Sequence, residues 1–158
     1  MRALLGTDYS RGMKGMTLEV VKGPDAGRRF PIAVGHYRVI GRAFGMLGGT
    51  AVVSTGERRR LDVEDQRIAA DHLEGRAAPG KVGARSAVAS FTRDDDIDLA
   101  DDAVSQTHAM IFVDEAGISL VDVASTNGAY VNGKRVGEAE LVLGDLLRVG
   151  ETRMEVKD

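Results

Sequence analysis

The chain predicts an all-β protein, a β-sandwich, on three observations. Short runs rich in Val, Ile and Leu recur along it, and Gly, Asn or Asp separates one run from the next. The 20 glycines against 3 prolines add many tight turns, which suits sheets better than helices.

In chain order, residues 1–15 ("MRALLGTDYSRGMKG") carry three glycines and no period, and read as a loosely ordered N-terminal tail. "MTLEVVKG" alternates as a strand does, and "GPDAG" is a turn. "RRFPIAV" and "GHYRVIGR" are the next two strands. From Ile97 onward the pattern resumes with "IDL", "HAMIFVD", "GISLVDV", "GAYVNGKRV", "LLRVG" and "TRMEVKD". Asn132-Gly133 supplies a hairpin turn inside the fourth of these.

Between the two halves, an excursion of another character runs from about residue 43 to 93. It opens on the glycine-rich "FGMLGGT" and closes on "GRAAPGKVGARSAVAS". Its middle, "LDVEDQRIAADHLEG", predicts one short helix in an otherwise flexible loop. Asp62 is the N-cap, Glu64 and Asp65 suit the first turn, and Gly75 ends it. Leu61, Val63, Ile68 and Leu73 give only a partial apolar stripe. The expected organisation is thus a tail, then one sandwich domain over 16–158, interrupted at about 43–93. A structureless loop of that length inside a compact domain calls for a reason.

Several function classes drop out. A net charge of −3 argues against bulk binding to nucleic acid, though not against a local anion site. Without cysteine there is no disulfide, thiolate metal site or cysteine nucleophile. No apolar run is long enough to span a membrane and the start lacks a signal-peptide core, so the default expectation is cytoplasmic. The histidines His36, His72 and His108 lack metal-ligand spacing, and no nucleophile motif or phosphate-binding loop is present. No enzyme, metal or cofactor is expected. "DDDIDLADD" places six Asp in nine positions but lacks the glycine and glutamate of a calcium loop; it reads as a solvated acidic loop leading into a strand.

Three short motifs remain, in fixed order: "VIGRA" at Val39–Ala43, "VSQTHAMI" at Val104–Ile111, and "STNGAYVNG" at Ser125–Gly133. Taken singly, Arg42 is a surface charge, Ser105 a turn residue, His108 a core histidine and Asn127-Gly128 a hairpin turn. With "DIDL" before the second and "LGDLLRVG" after the third, the set resembles the forkhead-associated (FHA) domain family over about residues 16–42 and 94–157. The resemblance implies an eleven-stranded sandwich that binds phosphothreonine peptides through loops at one end. By it, Arg42 contacts the phosphate, Ser105 donates its hydroxyl, Thr126 lines the pocket, and Asn127 bonds the peptide backbone. His108 braces the loops, while Gly41, Gly128, Asn132 and Gly133 serve backbone geometry. The chemistry is consistent with this: a phosphothreonine brings about −1.5 to −2 of charge and three acceptor oxygens, and a guanidinium fork meets it with two parallel donors.

Two departures stand out. Gln106 follows the serine where the family usually has Arg, Asn or Lys; it can still donate to a peptide but adds no charge. The 43–93 excursion replaces a short loop beside the binding end, and it either contributes to binding, shields the site, recruits a partner, or is tolerated without a role. Thr92, with Asp95 three residues on, and Thr50, with Val53, are candidates for self-recognition once phosphorylated. The expected function is a phosphothreonine-peptide module downstream of a Ser/Thr kinase. The alternative is a phospho-independent scaffold that uses the excursion as its contact surface.

Overall fold

The computed structural model describes residues 15–43 and 59–158. The expected tail up to residue 14, the "FGMLGGT" run and Thr50 lie outside them.

Twelve strands are present among the described residues. They are β1 (Met16–Lys22), β2 (Arg29–Ile32), β3 (His36–Arg42), β4 (Thr92–Arg93), β5 (Ile97–Leu99), β6 (Ala109–Asp114), β7 (Gly117–Asp122), β8 (Ala129–Val131), β9 (Lys134–Val136), β10 (Glu138–Leu141), β11 (Leu146–Val149) and β12 (Thr152–Lys157). One sheet runs β9-β8-β11-β12-β1-β2, and the other β10-β7-β6-β3-β4, with β5 also paired to β3. Pro31 sits in β2, at the rim of the first sheet, where a missing N–H costs no ladder bond. Leu18, Phe30, Ile40, Leu99, Ile111, Leu120, Leu147 and Met154 interdigitate between the sheets as the main core. The β-sandwich expectation stands. Two short strands, β4 and β10, escaped the sequence pattern, and the predicted "GAYVNGKRV" run is a hairpin of two strands. Its two-residue turn is Asn132-Gly133, at φ 51° and 85°.

The excursion departs from expectation. Strand β3 pairs in parallel with β4 at His36↔Thr92 and with β5 at Ile40↔Ile97 and Arg42↔Leu99. Parallel neighbours need a crossover connection, and the excursion is that crossover, with helix α1 (Val63–Ala77) lying along it. Asp62 caps the helix as predicted, accepting the Asp65 N–H, while the Asp65 carboxylate accepts the Asp62 N–H. Gly75 does not end it. Arg76, one residue on, is locked to the buried Asp114 carboxylate, and that pairing holds the helix past a glycine whose intrinsic cost is only about 1 kcal/mol.

The excursion's described part is not a loose loop. Ala69 and Leu73 of α1, with Phe91, pack on Tyr37, Val39, Met110, Phe112, Val121 and Val123 and form a second core on the outer face of the second sheet. Tyr37 stacks on Phe112 at 5.0 Å between centroids, and Phe91 meets the same ring edge-on at 5.0 Å. Strand β6 is therefore buried on both faces along its whole length. The predicted stripe is half right: Leu73 is buried, whereas Val63 is 82% exposed.

The acidic run also differs from the solvated loop expected. Asp96 and Asp101 are buried. Asp101 accepts from the Thr152 hydroxyl at 2.7 Å and from the N–H groups of Ala103 and Glu151, pinning the loop before Ser105 to the start of β12. Asp96 and Asp98 both pair with Arg59. Only a buried network of this kind keeps carboxylates inside.

Candidate functional site

At the end of the sandwich where β3 finishes, three segments converge. Arg42 is the last residue of β3, and its N–H bonds the Ser105 carbonyl at 3.0 Å, tying the strand to the 100–108 loop. The Ser105 hydroxyl accepts the Thr126 N–H at 3.0 Å, which brings in the third segment. The Asn127 amide donates to the Ala103 carbonyl at 2.8 Å. Arg42, Asp102, Ala103, Val104, Ser105, Gln106, Thr126 and Asn127 together line an open depression of about 390 Å³. All five residues expected to meet a phosphopeptide thus share one concavity.

Among the described residues, Arg42 and Ser105 keep donors available. Among the described residues the Arg42 guanidinium gives one hydrogen bond, from Nη1 to the Val104 carbonyl at 3.2 Å. No carboxylate of the described residues forms an ion pair with it, unlike Arg59, Arg76, Arg85 and Arg93. Because Ser105 Oγ accepts from Thr126, its own hydrogen is free to point into the depression. Thr126, Asn127 and Gln106 are exposed on the rim. Sequence reasoning missed Asp102, an exposed carboxylate in the same lining, because it stood inside a run of six aspartates.

His108 explains how the loops hold together. It is fully buried. Its Nδ1 accepts the Ser105 N–H at 3.1 Å, so the ring proton resides on Nε2, which donates to the Gly128 carbonyl at 2.8 Å. One imidazole thereby links the two loops that carry Ser105 and Asn127. Burial lowers its pKa, against a smaller opposing effect of the Gly128 hydrogen bond, and keeps the ring neutral.

The remaining loop residues act on the backbone. Gly41 has no positive φ; the need there is close approach, since a methyl group would land 2.1 Å from the Gln106 carbonyl oxygen and 2.7 Å from Arg59 Nε. Asn127-Gly128 is not a hairpin turn, because it joins β7 of one sheet to β8 of the other. Gly128 takes φ 83° and gives its N–H to Ser125 Oγ, which in turn donates to Asp122. Ser125 shapes the loop and is turned away from the depression's lining. Asn132 carries its own load by bonding Asp145 and the Leu146 N–H.

A second arrangement deserves a chemical reading, since the sequence shows no paired nucleophile and base. Ser119 Oγ lies 3.0 Å from His72 Nε2, and His72 Nδ1 lies 2.6 Å from Glu138 Oε1. The order is that of a hydrolytic triad. Yet Ser119 is fully buried beneath α1, so no substrate reaches its hydroxyl. The trio is a polar latch between the helix and the outer face of β7 and β10.

Comparison with known proteins follows the same lines. Residues 75–150 match the family model described as the FHA domain. The chain is 41% identical over 61 residues to the glycogen accumulation regulator GarA of Mycobacterium tuberculosis, a stretch covering 39% of this chain and 38% of GarA. The match therefore spans well under half of that relative's length. Among solved structures, the fold is similar to the FHA domain of a Chlamydia trachomatis protein, with a TM-score of 0.55, 17% identity, and coverage of 91% of this chain and 97% of that one. It is also similar to a structure from a study of phosphothreonine-dependent FHA domain interactions, with a TM-score of 0.52, 23% identity, and coverage of 91% and 96%.

Proposed function

Because the chain carries an FHA domain, we propose that it is a non-enzymatic module that binds phosphothreonine-containing peptides through the depression at Arg42, Ser105, Gln106, Thr126 and Asn127. The observation that carries this reading is the state of Arg42: a guanidinium on a rigid strand end, without a carboxylate partner among the described residues, facing a hydroxyl and an amide held by two other loops. Such a site is built for a dianion, and the charge-assisted bonds to it are the strong ones. An ordinary surface arginine is solvated or paired with an acid. The similar structure from the study of phosphothreonine-dependent FHA domain interactions supports the ligand class, and GarA's being a regulator supports a role in signalling rather than catalysis.

The partner is a protein phosphorylated by a Ser/Thr kinase, met in the cytoplasm. No helix among the described residues is long and apolar enough to cross a membrane. The domain extends over 16–158 with the crossover as part of it. Thr92 pairs with His36 at the far end of β3 from Arg42, so a phosphorylated Thr92 is out of reach of its own pocket while that strand is in place.

The experiment is a paired titration with a phosphothreonine peptide library and its unphosphorylated counterpart. Selective binding of the phosphorylated set, lost in Arg42→Ala while the fold is retained, is the expected result. Equal binding of both libraries would refute the reading.

A further inference from the structure

We infer that Arg59, contributed by the crossover, is a positioning residue for the phosphate site: it grips the Arg42 backbone so that the Arg42 guanidinium is presented to the depression. The inference rests on the proposed reading of that depression, and it gives the excursion a definite part in binding.

Arg59 cannot itself touch a ligand, because its side chain is only 2% exposed. Its Nη2 donates to the Arg42 carbonyl at 2.9 Å and to Asp98 Oδ1 at 2.7 Å. Arg42's backbone is therefore held on both sides, its N–H by the Ser105 carbonyl and its C=O by Arg59. The absence of a side chain at Gly41 lets the Arg59 guanidinium come this close, since Nε and Cζ would be 2.7 and 2.8 Å from a methyl group there. Arg59 is in turn held on the crossover's return. Its N–H bonds Asp96 Oδ2 at 2.8 Å, its Nη1 pairs with the same oxygen at 2.9 Å, and Arg93 bridges its carbonyl to Asp96 Oδ1.

Two guanidinium groups thus face two carboxylates, and the charges are balanced inside the protein. A charge-assisted bond in such surroundings is electrostatically strong and its geometry well defined. Lysine is no equivalent here. It places one nitrogen where arginine reaches Asp96 with one arm and both Asp98 and the Arg42 carbonyl with the other. Asp98 shares Nη2 with that carbonyl, so it aims the arm at Arg42.

The test compares three single variants by phosphothreonine-peptide affinity, each measured under conditions where circular dichroism shows it folded. Arg59→Lys should weaken binding about tenfold, the loss of one charge-assisted hydrogen bond. Asp98→Asn, whose side chain is 27% exposed and so tolerates the change, should weaken it about threefold through the same arm. Arg93→Lys belongs to the same cluster but has no hydrogen bond to Arg42. A positioning role predicts wild-type affinity for it even where its melting temperature falls as far as that of Arg59→Lys. If Arg59→Lys and Asp98→Asn bind like wild type while Arg42→Ala does not, the positioning role is overturned and the phosphate site survives. If all three variants weaken in proportion to their loss of stability, the role is structural only and the inference fails. If the wild type shows no preference for phosphate, the reading of the depression falls and this inference falls with it.

Discussion

Replacing His108 with alanine tests whether one imidazole holds the binding end together. The side chain satisfies two backbone groups, the half-buried Ser105 N–H and the buried Gly128 carbonyl. Truncation leaves both without a partner, at about 1–3 kcal/mol each, and adds a cavity in a fully packed place. The sum is on the order of 3–5 kcal/mol, a large share of the ~5–15 kcal/mol that holds a domain folded. Urea unfolding at pH 7.5 measures it, and a variant within about 1 kcal/mol of wild type would refute the brace. The same residue carries a pH signature. Its folded-state pKa is depressed by burial, so above the unfolded value of about 6.5 the ring is neutral in both states and its contribution is complete. As pH falls below about 6.5 the unfolded chain takes up a proton that the folded protein refuses, and stability declines by up to about 1.4 kcal/mol per pH unit until the folded pKa is reached. Subtracting the variant's pH–stability curve from that of wild type isolates the contribution of His108. A flat difference between pH 7 and 5 would mean that His108 titrates normally in the folded state.

Three further outcomes are expected. Gly41→Ala should impair folding severely in urea titration, since the methyl would press on the Gln106 backbone at 2.1 Å, whereas Gly128→Ala, at φ 83° and facing only the movable tip of Arg135, should cost about 1–2 kcal/mol. Arg76→Leu strands the Asp114 carboxylate, which is wholly buried, with backbone N–H donors alone, and should destabilise by about 3–5 kcal/mol in the same assay. Leu73→Ala should cost about 2–5 kcal/mol if the outer-face core is real, and next to nothing if the helix merely rests on the sheet.

Most of the strands, the Asn132-Gly133 turn and the start of the helix were legible because they rest on local rules: period-two alternation, Asn-Gly turn chemistry, an Asx cap at Asp62. Convergence of Arg42, Ser105 and Thr126 was legible only through the family resemblance, since nothing local in "VIGRA" says where its arginine points. What escaped the reading was decided by tertiary contact. "EAEL" became β10 by pairing with β7, against its own composition. Arg59, in the run "ERRRLD", looks like a solvated charge and is instead buried by Asp96 and Asp98, which themselves looked like a solvated loop. Each half of that network hides the other, because a charge is expected inside only once its partner is known to be there. One signal was available: "AMIFV" in β6 is apolar without alternation, the mark of a strand covered on both faces, and something had to provide the second cover.

The parallel seam between β3 and β5 has a kinetic side. A hairpin closes a few residues at a time, but Ile40 meets Ile97 only after the whole crossover has been gathered in. That search grows costlier with the logarithm of the chain enclosed, and its reward arrives only once the outer-face core has formed. The antiparallel set of hairpins β6-β7, β8-β9 and β11-β12 is free of this constraint. Its strands can assemble early, whereas the strand that bears Arg42 is locked between β6 and β5 only once the crossover is in place. A nascent chain would then acquire its binding end late, after most of its sheet structure is already in place.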